Sequence, residues 1–235
     1  MIRVGIAGIG FMGWIHHLAY QKLRGVKLVA ISEPNEKRLG GDWRDIKGNF
    51  GPPGQRVDLT GVARYADYHD MLADDQVDLV DLCLPPMMHP AAAVSALQAG
   101  KHVFCEKPMA LKTRDCDRMV AAAAKADRQL YIGHVLPFFP EYAYAIRQIH
   151  SGKYGKLLGG NFKRIISDPL WLKDFFDPER GGGPLLDLHV HDAHLIRLLF
   201  GMPTGLTSQG RMRGEVVEYC QTQFQFPDKD LVVSS

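Results

Sequence analysis

The chain has 235 residues, 46% of them hydrophobic and 23% charged, and a formal net charge of +2. That length holds one large domain or two modest ones, with the composition of a soluble globular protein. Acids and bases are spread along the whole length, which leaves no electrostatic footprint for nucleic acid, and no apolar run approaches the ~20 residues that span a bilayer. Neither a nucleic-acid nor a membrane partner is expected.

The opening "MIRVGIAGIG" enters a strand-like run at once and does not read as a signal peptide. The four cysteines, Cys83, Cys105, Cys116 and Cys220, lack CxxC or zinc-finger spacing. Free thiols in apolar runs fit a reducing compartment, so a cytoplasmic location is expected.

In chain order, strands are expected at Ile2–Ala7, Leu28–Ser32, Asp78–Leu84, His102–Cys105 and Leu130–Val135. They are short and rich in Val, Ile and Leu, as strands buried on both faces should be. Helices are expected after Gly13, over Pro90–Ala99 up to the stop at Gly100, and after Thr113 as N-cap. This alternation predicts an α/β doubly wound parallel sheet over residues 1–135. Residues 40–61, with six glycines and two prolines, read as a long surface loop. At "PFFPEY" the pattern changes. Beyond it come a helix at Tyr142–His150, a strand-like "LLGGNFKRII", a helix over residues 185–200 ended by Gly201, and further strand-like runs. Residues 136–235 are therefore expected to form a substrate and oligomerisation domain of α+β type, with an antiparallel sheet that looks truncated because the chain stops in mid-pattern.

"GIAGIGFMG" places Gly8, Gly10 and Gly13 as G-x-G-x-x-G between a strand and a helix. In that context glycines give a tight turn and a close backbone approach to a pyrophosphate, while the helix N-terminus offers N–H groups and partial positive charge. Gly8, Gly10, Phe11, Met12 and Gly13 are the candidate phosphate-binding residues. Glu33 ends the second strand, 20 residues past Gly13. An acid there accepts from both ribose hydroxyls and repels a 2′-phosphate, which favours NAD, with NADP less favoured. Arg38 would soften that preference if it swung over the ribose. Leu84, Pro85 and His89 follow a strand's carboxyl end, where open α/β sheets bind ligands; His89 also reads as a simple helix-entry residue ahead of Pro90.

Five ionisable residues, Asp187, His189, His191, Asp192 and His194, interrupt the otherwise apolar "GPLLDLHVHDAHLIRLLFG". On a helix, Asp187, His191 and His194 share a stripe within about 60°, with His189 nearly opposite and Asp192 on a third side. Asp187 and His191 stand at i and i+4, where a carboxylate orients an imidazole and raises its pKa, the arrangement of a general base. A strand would instead put Asp187, His189 and His191 on one face, as in metal-dependent hydrolases; the continuing apolar run and the Gly201 stop favour the helix, and no metal is assigned. Buried histidines with backbone partners are the plainer alternative.

"GIGFMG", "LPPMMHP", the "EKP" at Glu106–Pro108 and "GGGPLLDLHVHD" stand in this order. On these four motifs the chain resembles, over nearly its whole length, the Gfo/Idh/MocA oxidoreductases, the group of glucose-fructose oxidoreductase and inositol dehydrogenase. The resemblance implies a Rossmann domain and an NAD(P)-dependent dehydrogenase acting on a secondary alcohol of a sugar, cyclitol or related polyol. It implies that Glu106 and Lys107 lie at the cofactor, with Lys107 near the nicotinamide and the substrate hydroxyl, and that Leu84, Pro85 and His89 meet the nicotinamide ribose. It also implies that D-x-x-x-H supplies Asp187 and His191 to catalysis. The family more often has glycine at His189 and aspartate at His194, so His194 becomes a candidate substrate contact. The arginine of the family's R-F element is replaced by Pro137, and Arg164 is the candidate substitute in substrate binding. The second sheet is shorter than the family's, which fits a fragment of a longer protein or a sheet completed by pairing with another subunit; a homo-oligomer through this sheet is expected. A catalytically silent dinucleotide-binding module is the alternative reading, and a metal-dependent hydrolase the more remote one.

Overall fold

The computed structural model describes residues 1–169, 172–227 and 230–235. Its contacts divide the chain into two units, Met1–Gly133 and His134–Ser235; the sequence reading put the division at 135.

In the first unit, β1 (Ile2–Ala7) is followed by α1 (Phe11–Tyr20), β2 (Val26–Ser32), α2 (Glu36–Leu39), β3 (Ala63–Tyr65) and α3 (Tyr68–Leu72). Then come β4 (Leu79–Leu82), α4 (His89–Gln98), β5 (His102–Cys105), α5 (Thr113–Ala126) and β6 (Leu130–Ile132). The six strands form one parallel sheet in the order β3-β2-β1-β4-β5-β6. The order reverses between β1 and β4, so the turns after these strands border the crevice where such sheets bind ligands.

The strand period of two sets the core. Ile6 and Ile31 point to a cluster with Ile9, Trp14, Trp43, Ile46 and Leu59. Their neighbours Ala7 and Ala30 point the other way, to a cluster with Val80, Leu82, Ala96, Leu97, Val103 and Met119. Each fully buried Ile, Leu or Met side chain contributes about 1.5–3 kcal/mol on removal from water.

Several expectations change. α1 begins at Phe11, so Gly13 lies inside the helix rather than before it. β4 ends at Leu82, leaving Cys83 and Leu84 in the turn, and β6 ends at Ile132. The N-cap of α5 is Lys112, with no side-chain cap bond, and Thr113 is the first helical residue. The weakly patterned β3 and α3 were not foreseen. Nor is the segment 40–61 merely surface: Trp43, Ile46 and Leu59 are buried. The Trp43 indole donates to the Arg38 carbonyl at 2.6 Å, and the Trp14 indole donates to the Pro52 carbonyl at 2.9 Å. Two tryptophans thus pin a glycine-rich segment against α1, supplying the apolar anchors that its composition obscures.

The second unit contains α6 (Pro140–His150), β7 (Gly159–Asn161), α7 (Gly183–Asp187), α8 (His189–Phe200), β8 (Gly205–Arg213), β9 (Val216–Gln225) and β10 (Val232–Ser234). Its sheet runs β7-β10-β9-β8. It is mixed rather than antiparallel, because β10 pairs parallel with β7. Phe224, Phe226, Val233 and Ile196 form its core. The expected strand at 157–166 shrinks to Gly159–Asn161. The expected single helix is two, α7 and α8, meeting at Leu188, whose φ of −105° departs from helical values.

Candidate functional site

The Gly-rich turn is shaped by what glycine lacks. Gly8 has φ +92°, and a Cβ there would stand 2.6 Å from the Cys83 carbonyl oxygen. A Cβ on Gly13 would stand 2.2 Å from the Gly8 carbonyl oxygen. These two glycines let β1 and α1 close onto β4. Gly10 differs, since a Cβ there meets nothing within 4 Å. That open space faces the start of α1, where the amides of Phe11, Met12 and Gly13 have no acceptor inside the helix. A helix start with free amides and open space beside it suits an anion.

Glu33 is 7% exposed at the end of β2. One carboxylate oxygen accepts the Ile9 amide at 2.8 Å and the other accepts the Asn35 amide at 3.0 Å. The acid therefore grips the turn directly, and each oxygen keeps a further lone pair for a ribose hydroxyl. Arg38 does not swing freely. It pairs with Asp45 at 2.8 Å and donates to the Ile9 carbonyl at 3.1 Å.

Past β4, Leu84 is half-buried and Pro85 exposed. His89 is wholly buried, so its ring offers no surface to a cofactor, contrary to expectation. Its two ring nitrogens face the carbonyls of Pro108 and Leu84, both at 2.8 Å. Burial pushes its pKa down, and a neutral ring carries one N–H for the two carbonyls. His89 ties the turn after β4 to the turn after β5.

That second turn carries Glu106, Lys107 and Pro108, with a cis peptide between Lys107 and Pro108. Glu106 is 7% exposed. Its carboxylate accepts the Lys107 amide at 3.3 Å and faces His16 Nε2 at 3.0 Å. His16 Nδ1 lies 2.8 Å from Asp81, which also accepts the Tyr20 hydroxyl at 2.8 Å. Sequence reasoning missed His16, Tyr20 and Asp81. The signal was there: Asp81 is an acid in the middle of an apolar strand, and such a group needs partners.

In the second unit, Asp187 closes α7 while His191 and His194 lie on α8, each half-buried. His194 stacks on His134 with ring centres 4.3 Å apart. Burial and Arg197 lower its pKa. His189 faces the sheet, stacking on Phe224 and bonding Ser235. Arg164 makes a bidentate pair with the buried Asp192 at 2.8 and 2.9 Å. The pair lines a cavity of about 270 Å³ together with His189 and Tyr219. The helical course of 183–200 removes the strand that a three-ligand face at Asp187, His189 and His191 would require. Among the described residues, the group with metal-ligand spacing is His16, Asp81 and Cys83, in the first unit.

Residues 2–134 match the model of an oxidoreductase family described as an NAD-binding Rossmann fold, and residues 142–234 match the GFO/IDH/MocA C-terminal domain. The chain is 32% identical over 202 residues to a myo-inositol 2-dehydrogenase of Thermotoga maritima, covering 85% of this chain and 55% of that one. It is 30% identical over 200 residues to an inositol 2-dehydrogenase of Saccharopolyspora erythraea, covering 84% and 54%. The crystal structure of myo-inositol 2-dehydrogenase from Lactobacillus plantarum superposes with a TM-score of 0.81 at 25% identity, covering 99% of this chain and 68% of that one. The chain thus spans about half the length of the curated relatives it matches.

Proposed function

The chain belongs to the Gfo/Idh/MocA oxidoreductase family, and from that premise we propose that it is an NAD-dependent oxidoreductase acting on a secondary alcohol of a cyclitol, sugar or related polyol. The observation that carries this is the open space at Gly10 beside a turn held by Glu33. The inositol dehydrogenases among its relatives support a polyol as substrate.

The nicotinamide, when bound, accepts or supplies the hydride. Gly8, Gly10, Phe11, Met12 and Gly13 hold the diphosphate with backbone amides. Glu33 accepts from the ribose hydroxyls and excludes a 2′-phosphate, which makes NADP the poorer cofactor. Lys107 stabilises the substrate oxygen as its proton leaves. His191 takes that proton and Asp187 orients the ring. His194 and Arg164 contact substrate. Removing one such acid–base group lowers the rate by about 10²–10⁴-fold.

The test is turnover with NAD on a panel of cyclitols, sugars and sugar acids, followed by nicotinamide absorbance. Lys107→Ala and His191→Ala should each lower turnover by about 10²–10⁴-fold while NADH still binds. NADH binding with no turnover on any member of the panel would favour the silent module instead.

No helix among the described residues is long and apolar enough to cross a membrane, and the free cysteines support a reducing, cytoplasmic location. Leu206, Met212 and Tyr219 are exposed on the β8–β9 hairpin, and we propose that copies of the chain associate through this sheet, which light scattering would test.

A further inference from the structure

Behind Lys107 runs a chain of polar contacts through Glu106, His16 and Asp81. His16 sits in α1, one helical turn past the phosphate cradle, with its side chain 14% exposed. Its Nδ1 lies 2.8 Å from an oxygen of Asp81, a residue with no exposed surface. Its Nε2 lies 3.0 Å from an oxygen of Glu106. Ionised carboxylates only accept hydrogen bonds, and a neutral imidazole has one N–H, so satisfying both acids takes a doubly protonated ring.

The surroundings are built for this. The Tyr20 hydroxyl adds a second donor to Asp81 at 2.8 Å. Cys83 Sγ lies 3.3 Å from His16 Nδ1 and 3.6 Å from the other Asp81 oxygen. Phe104 covers the ring at 5.7 Å between centres. A Cβ at Gly133 would stand 2.9 Å from the very Glu106 oxygen that faces His16, so the bare backbone there leaves room for the carboxylate. The other Glu106 oxygen accepts the Lys107 amide at 3.3 Å. Contacts therefore run without a gap from Asp81 through His16 and Glu106 to the backbone of Lys107. They join the helix that starts the cofactor cradle to the turn that carries the proposed oxygen-stabilising lysine.

We propose that His16 is a positioning residue: held as an imidazolium between Asp81 and Glu106, it fixes the Glu106 carboxylate and through it the backbone that presents Lys107. Burial pulls the ring's pKa down, but its hydrogen bonds to Asp81, Cys83 and Glu106 outweigh burial and hold it well above the usual histidine range. The role of Lys107 rests on the proposed function; the state of His16 and its hold on the turn do not.

The rival use of the same atoms is a metal ion. His16, Asp81 and Cys83 offer ligand atoms within 4.8 Å of one another. An ion there would need the Nδ1 lone pair, which the proposed ring gives to a proton.

The test uses the full 235-residue chain. Long-range ¹H–¹⁵N spectra of histidine-labelled protein, with His16 assigned by its loss in His16→Gln, should show both ring nitrogens protonated from about pH 6 to about pH 9. A neutral His16 at pH 7, or a stoichiometric metal by elemental analysis, overturns the proposal. Two variants then separate positioning from bulk stability. A Gln amide reaches the Nε2 place and keeps the Glu106 bond, whereas an Asn amide reaches the Nδ1 place and keeps only Asp81. His16→Gln should leave the Lys107 amide resonance near its wild-type position, and His16→Asn should shift it. In turnover, His16→Asn should lower kcat on the order of 10-fold to 100-fold, with NADH affinity little changed and most of the loss restored in His16→Gln. Equal effects of the two variants, in step with melting temperature, contradict the proposal. Should neither variant fold, connecting the ring signals to the assigned His16 backbone in the wild-type protein still decides it. If no polyol is turned over, the proposed function fails while the ring spectrum and the amide resonance still judge His16.

Discussion

The Glu33 carboxylate accepts the backbone amide of Ile9 at 2.8 Å, across 24 residues of sequence. One side chain thus shapes the Gly-rich turn and, in the proposed function, carries the charge that selects the cofactor. The two roles separate by substitution. Glu33→Gln keeps an acceptor for the Ile9 amide but loses the charge and the acceptor for the Asn35 amide, so its preference for NADH over NADPH should narrow by about tenfold, or ~1.4 kcal/mol, with a smaller loss of stability than Glu33→Ala. Glu33→Ala should lose the preference and also about 1–3 kcal/mol of stability, because the buried Ile9 amide loses its partner. Titration with each dinucleotide and thermal melts check both.

Gly10 and Gly13 should respond in opposite ways. An alanine methyl at Gly13 meets the Gly8 carbonyl oxygen at 2.2 Å, so Gly13→Ala forces the turn open at a cost of about 1–3 kcal/mol. At Gly10 the methyl meets nothing within 4 Å. Gly10→Ala should melt like the parent and bind NADH at least about tenfold more weakly, because the methyl takes the space of the phosphates.

Breaking the Arg164–Asp192 pair should unsettle the second unit. Asp192 is 6% exposed, and a buried acid stripped of its partner costs about 3–5 kcal/mol in a fully buried pair. Arg164 retains some exposure, so Arg164→Met should lose about 2 kcal/mol. The double variant Arg164→Met/Asp192→Leu should recover most of it. Denaturant melts measure all three.

Acid should weaken the fold through its histidines. Burial lowers the pKa of His17, His89, His189 and His194 below 6.5. The unfolded chain then binds protons that the folded chain refuses, so stability falls as pH drops through about 6.5 and continues to fall toward the folded pKa values. His16 acts in the other direction: with its pKa raised, its contribution is full below about 6.5 and persists into alkaline solution. His89→Gln should flatten the acid limb of a stability–pH curve, which melts between about pH 5 and pH 8 would reveal.

How much of this was legible beforehand follows from what each residue does. The Gly8–Gly13 turn and Glu33 were readable because strand, glycine spacing and acid all lie close in sequence. The six-stranded sheet was readable as apolar runs, except for β3, whose three residues Ala63–Tyr65 carry too little pattern. For His89 the sequence leaves a ribose contact and a helix-entry residue both open, and the fold buries it at the start of α4. Its two carbonyl partners, at Leu84 and Pro108, are backbone atoms that no residue type announces. The pairing of His16 with Asp81 and Glu106 joins residues 65 and 90 positions apart (81 − 16 and 106 − 16), and only the folded sheet brings them together. The break at Leu188 was hidden because the apolar period continues through it, so Asp187 and His191 fall on two helices rather than on one regular stripe.

The most direct test of the central claim is a fluorescence titration of the folded chain with NADH and, separately, NADPH. The account predicts saturable binding of NADH, about tenfold or more tighter than NADPH, and NADH binding at least about tenfold weaker in Gly10→Ala. Failure of the folded chain to bind either dinucleotide would contradict it.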